Sequence, residues 1–171
     1  MEVVKAPDPR LRIQTKPVKK ITSALLQTLK EMIKLTQIFR EPEGVGLAST
    51  QVGLEERFFV AKNGQEFISI INPQILKTGK RTKKYFEGCL STPNIWGEVK
   101  RYTSIKVSYQ DTDGKTVTQP LIGVLAWIFQ HEIDHLNGVL FQDRVLQQKG
   151  KFYKFMGKDK TGTDIFEEVT L

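Results

Sequence analysis

The 171-residue chain contains one cysteine and two histidines. A single cysteine excludes an intramolecular disulfide framework and agrees with a reducing compartment. Also missing is any long apolar run: the N-terminal Met1–Pro7 segment has no signal-peptide h-region and no Arg/Ser-rich, acid-poor transit character. No stretch approaches the length of a membrane span. The expectation is a soluble, cytoplasmic protein with no membrane partner. Internal repeats, low-complexity tracts and domain-separating linkers are lacking too, so one domain over residues 1–171 is expected. At 39% hydrophobic the chain has enough material for one real core. The net charge of +7 is spread along the sequence with no nucleic-acid-binding motif beside it. It reads as solubility, with no sequence-specific nucleic-acid partner.

What is present divides into helical and strand-like segments, an α+β composition. From Thr22 to Arg40, Leu25, Leu26, Leu29, Met32, Ile33 and Leu35 recur at helical spacing, with Thr22 or Ser23 as N-cap. Arg57–Ala61 and Glu66–Ile71 are strand-like around an Asn63-Gly64 turn, and Ser104–Gln110 and Lys115–Gln119 flank Asp113-Gly114. Pro120 is expected to open a second helix running to Leu136, closed by Asn137-Gly138. Leu121–Phe129 is apolar on nearly every face, which predicts a helix buried at the domain centre.

Both histidines lie on that helix, in His131-Glu132-Ile133-Asp134-His135. An H-E-x-x-H places two imidazoles on one helical face with a carboxylate beside them, the wiring of a hydrolytic metal site. A third ligand is needed. Phe141 occupies the position where one protease class has a third histidine, and Glu167 and Glu168 lie in an extended-looking tail. Cys89 remains, in Phe86-Glu87-Gly88-Cys89-Leu90-Ser91. Alone it reads as a small buried apolar residue; beside an H-E-x-x-H short of one ligand it completes a Cys/His/His set. Two rival readings are a zinc endopeptidase and a non-catalytic metal-binding module.

Three segments, Gly44-Val45-Gly46-Leu47-Ala48-Ser49-Thr50-Gln51, Glu87-Gly88-Cys89-Leu90-Ser91 and Gln130-His131-Glu132-Ile133-Asp134-His135, resemble the three signature motifs of peptide deformylases. The resemblance spans roughly residues 3–146. It implies an α+β fold of antiparallel strands around a central helix carrying the H-E-x-x-H, and removal of the formyl group from N-terminal formyl-methionine of nascent polypeptides. It further implies one divalent metal, Fe(II) first, with Zn, Ni or Co as alternatives. Cys89, His131 and His135 would be its ligands. Glu132 would move the proton of the attacking water to the departing amine, and the Gln51 amide and Leu90 N–H would meet the oxyanion. Gly46 and Glu87-Gly88 would flank the substrate backbone. Val45, with Trp127 and Ile128, would receive the methionine side chain, although for these three plain core packing explains the residues nearly as well. A transient encounter with the ribosome also belongs to the resemblance.

The chain departs from the family pattern in places. Ser49 and Thr92 replace more usual small and aliphatic residues, and Asn94-Ile95-Trp96-Gly97 lacks an arginine that some members carry. The tail from about residue 147 to 171 reads as extended where many members have a charged helix, so no helical ribosome contact is expected.

Overall fold

Phe58, Phe59, Val60 and Ala61 are all fully buried, and their alternation separates two layers. In the computed structural model, which describes residues 1–170, they form strand β2 (Phe58–Asn63). Phe58 and Val60 face a cluster with Leu25, Leu29 and Met32 of helix α1 (Ser23–Gln37). Phe59 and Ala61 face a second cluster, with Ala126, Phe129 and Ile133 of helix α2 (Gly123–Leu136). Successive side chains of a strand point to opposite faces, so a run without polar breaks belongs between two helices.

β2 is the second strand of a five-stranded antiparallel sheet ordered β1-β2-β3-β6-β7. Its other members are β1 (Gly46–Ala48), β3 (Glu66–Thr78), β6 (Ser104–Gln110) and β7 (Thr116–Ile122). The β2–β3 hairpin turns at Gly64, whose φ of 64° suits the first central position of a two-residue loop. A second sheet is ordered β4-β5-β8-β9: β4 (Thr82–Cys89), β5 (Thr92–Tyr102), β8 (Phe152–Lys158) and β9 (Asp164–Val169). The short helix α3 (Phe141–Gln147) packs Phe141 and Val145 against Val99 and Phe152 of that sheet.

The α+β expectation, with antiparallel strands around a buried H-E-x-x-H helix, is what the molecule shows. From Ile128 to Leu136 every residue of α2 is buried. Thr22 caps α1 as expected, its hydroxyl accepting from the Leu25 N–H at 3.2 Å. Some boundaries differ. α1 ends at Gln37, not Arg40, where Ile38 and Phe39 turn back with their N–H groups on the Thr36 carbonyl. The central helix starts at Gly123, not Pro120: Pro120 pairs with Lys106 inside β7, which is an edge strand and tolerates a residue with no N–H to give. The extended tail is a hairpin joined to β5 through β8, and Leu171, its expected last residue, lies outside the described residues. Among the described residues, no helix is long and apolar enough to cross a membrane.

Candidate metal centre and active site

α2 brings the two histidines to one face. Their rings stand edge to face with centroids 5.1 Å apart, and Cys89 arrives from the end of β4. There the pairing shifts between Gly88↔Trp96 and Cys89↔Thr92, an irregularity that ends the ladder at the thiol. Cys89 Sγ lies 3.2 Å from His135 Nε2, and the ligand atoms of Cys89, His131 and His135 fall within 4.8 Å of one another. All three residues are buried. Burial alone would raise the Cys89 thiol. The neighbouring His135 and His131 outweigh it and hold the thiol well below its usual range, toward the thiolate that binds metals. This donor set fits a divalent ion: one soft thiolate and two imidazoles from rigid elements, the three-ligand pattern of catalytic metal sites.

The histidines are braced from behind. Glu87, wholly buried, sets Oε2 2.9 Å from His131 Nδ1. The same carboxylate accepts from Arg101 Nε (2.8 Å) and Nη2 (3.0 Å) and from Trp127 Nε1 (2.8 Å). Burial pushes its pKa up, but the bonds to His131 and Arg101 prevail and bring it to about 2. An ionised carboxylate only accepts, so His131 donates through Nδ1 and keeps Nε2 for coordination. Arg101 also bonds Asp134, which is held by Arg144 at 2.6 Å.

In front of the ligands lies a largely apolar cavity of about 300 Å³. Val45, Gly46, Gly88 and Leu90 form its walls, with Trp127 and Ile128 from α2 and Trp96 from β5. Glu132 reaches it as well. Its Oε1 crowds the space a Cβ at Gly46 would fill, and its Oε2 is buried with no hydrogen-bond partner. Burial pushes the Glu132 pKa up to about 7. The Gln51 amide is oriented by the Ala48 N–H, which donates to Oε1 at 2.9 Å; Nε2 then donates to Ser91 Oγ (3.1 Å) and faces Cys89 Sγ (3.4 Å).

The structure therefore gathers the expected Cys89, His131, His135, Glu132, Gln51, Leu90, Val45, Gly46 and Gly88 at one site. The Glu87 side chain lies outside the cavity that its neighbour Gly88 lines. Side chains alternate along β4, so Glu87 points behind His131 while its neighbour Gly88 faces the opening. Arg101 went unnoticed in the sequence, because an arginine among Val99–Tyr102 carries no signal of burial. Phe141 packs its ring 6.4 Å from that of His131, and Glu168 pairs with Lys151 at the surface, so neither position offers a ligand.

Comparison with known proteins decides the family. The family model described as polypeptide deformylase matches residues 1–151. The chain belongs to the peptide deformylase family. A peptide deformylase of Thermotoga maritima is 46% identical over 142 residues, 83% of this chain and 85% of its own. The crystal structure of the Thermotoga maritima protein superposes with a TM-score of 0.79 at 45% identity, covering 84% of this chain and 95% of that one. A peptide deformylase from Synechococcus elongatus, crystallised with actinonin, gives 0.79 at 36% identity over 84% of this chain and 78% of its own. The activity of this deformylase is hydrolytic removal of the N-formyl group from nascent peptides.

Proposed function

We propose that Cys89, His131 and His135 hold one divalent ion, Fe(II) in the cell with Zn, Ni or Co able to replace it, and that the cavity beside them receives formyl-methionine. The observation that carries this reading is Glu132. A buried carboxylate oxygen without a partner, beside a Cys/His/His cluster at the base of an apolar cavity, calls for a proton-bearing guest. A bound ion supplies Lewis acidity, lowering the pKa of water toward neutrality. Glu132 takes the proton of the attacking water and returns it to the departing amine, so formate and the free amino terminus leave. The Gln51 amide, already aimed past Cys89 by Ala48, and the Leu90 N–H stabilise the oxyanion.

Binding follows from the two sheet edges. β1 and β4 are each the outer strand of their sheet, and Gly46 and Gly88 on them both line the cavity. A peptide backbone adds there as a strand, and the glycines permit close approach. Val45, Trp127 and Ile128 enclose the methionine side chain. The substrate is a nascent chain, so the protein works in the cytoplasm and meets the ribosome transiently, one domain over residues 1–171.

Formate release from a formyl-Met-Ala-Ser peptide tests the reading, using protein purified without oxygen and loaded with Fe(II), beside the unformylated peptide. The expected result is rapid formate with the peptide bonds intact. Absence of formate from a fully metallated sample overturns it.

A further inference from the structure

Helix α2 has a second face that the metal centre does not use. Trp127, Ile128 and His131 turn toward the catalytic cavity. Gln130, Ile133, Asp134 and Asn137, three and four residues apart, border a different cavity of about 450 Å³. Its other walls are Thr78 of β3, Thr82 of β4, Lys100 and Arg101 of β5, and Arg144 of α3. The cavity therefore lies between strands of both sheets. Arg101, Gln130, Ile133 and Asp134 make a buried floor, and Thr78, Thr82, Lys100 and Asn137 an exposed rim.

The side-chain acceptors of this cavity are largely spent. Asp134 Oδ1 accepts from Arg144 Nη2 at 2.6 Å, and Oδ2 accepts from Arg144 Nε at 3.0 Å and from Arg101 Nη1. Gln130 Oε1 takes the Tyr102 N–H, Gln148 Oε1 the Lys100 N–H, and Asn137 Oδ1 the Arg57 Nη1. Donors are left over. Among the described residues Lys100 Nζ and Asn137 Nδ2 form no hydrogen bond, and Arg144 Nη1 has only Gln147 at 3.3 Å. The charges agree: Lys100, Arg101 and Arg144 stand against Asp134 and, behind the floor, Glu87, which leaves one positive charge in excess. The surroundings add to it. Lys84 is directly opposite Lys100, and Lys77 opposite Lys106, and of these four only Lys84 has a carboxylate partner among the described residues, Glu98 at 3.1 Å. Like charges in facing positions destabilise a sheet, and an anion offsets that cost. Lys80 and Arg81, exposed between β3 and β4, form no ion pair among the described residues.

We propose that this cavity binds the phosphate group of a small molecule. The spare donors stand on three separate elements, β5, α3 and the C-cap of α2, which suits a group with three acceptor oxygens better than a carboxylate with two. Lys100 serves as the point charge and Arg144 as the directional donor. A small molecule fits because the floor is buried between the sheets, in a cavity of the size that encloses such ligands. Arg101 bonds Asp134 on this floor and Glu87 behind His131, so the cavity and the metal centre share one guanidinium. The proposal is independent of the deformylase reading.

Calorimetric titration of the metal-loaded protein at physiological ionic strength tests it, with inorganic phosphate and adenosine monophosphate as probes and acetate and a single-stranded uridine RNA as comparators. Both phosphates bind at one site. Lys100→Gln weakens them about tenfold or more, the loss of one charge-assisted hydrogen bond. Lys30→Gln, which removes the same charge from the exposed side of α1, leaves binding as it was. Formate release without added phosphate stays at the parent level in both variants, which shows fold and metal intact. Absence of phosphate binding overturns the proposal, as does binding that survives Lys100→Gln, since phosphate is then on the metal or spread over the surface. Acetate binding as tightly as phosphate overturns the choice of anion, and RNA binding more tightly with the same dependence on Lys100 overturns the choice of a small molecule. Phosphate binding that depends on Lys100 in a protein that releases no formate upholds this site and sinks the deformylase reading alone.

Discussion

Glu87 performs a task that its place two residues before Cys89 does not advertise, since its carboxylate fixes His131 and neutralises Arg101 at once. Glu87→Gln keeps the shape but weakens the acceptor. Loss of such a supporting carboxylate should lower metal affinity about 10- to 100-fold, measured as metal retained against a competing chelator. Retention equal to the parent would exclude the bracing role. Glu132→Gln should behave oppositely, with metal content unchanged and kcat down by about two to four orders of magnitude. The difference between the two residues also shows what the sequence discloses. Cys89, His131 and Glu132 are legible because a chain with two histidines and one cysteine leaves few ways to assemble a metal site. Glu87 and Arg101 are legible only once β4 and β5 are in register against α2. Nothing in the local spacing ties Arg101 to Asp134 or Glu87 to Trp127, yet each is a buried hydrogen bond.

Among the elements, those with a strong period were the readable ones. α1 shows one apolar stripe and β2 an unbroken apolar run, and both sit where the pattern puts them. β4 gave no such signal. Its outer half, Thr82–Lys84, is exposed and basic, as suits an edge strand kept from pairing with other chains, and only Glu87 and Cys89 are buried. Its partner β5 is positioned by small residues as much as large ones. A Cβ at Gly97 would lie 2.6 Å from Val145 Cγ2 and 3.2 Å from Phe141 Cε2, so β5 and α3 meet at a point with no spare volume. Gly97→Ala should therefore destabilise the fold by about 1–3 kcal/mol, read as a lower urea midpoint with an unchanged slope. Adding Val145→Ala should recover part of the loss by removing the colliding methyl. A single variant as stable as the parent would show that α3 moves aside at no cost.

At the scale of the molecule, the metal ligands stitch together parts that are otherwise held by separate clusters. Cys89 belongs to the small core under α3 and the second sheet, whereas α2 is packed into the core of the first. Contact between these halves includes the buried charged groups Glu87, Arg101 and Asp134, beside the stacked rings of Tyr85 and Trp127. A cation drawing Cys89 to His131 and His135 bonds one sheet to the helix of the other, and it binds the folded chain in preference to the unfolded one. At a free-metal level 100 times Kd that linkage is worth about 2.7 kcal/mol. For a chain of this length it raises Tm by about 5–10 °C. Stripping the ion with a chelator under anaerobic conditions should lower Tm by that amount, and returning Fe(II) or Zn should restore it. The same treatment of Cys89→Ala should leave Tm where it was, because one bond of the stitch is already missing and the ion is not retained. If chelator and metal leave Tm unmoved in both proteins, the three side chains meet without holding an ion, and the assignment of the site fails independently of any assay of turnover.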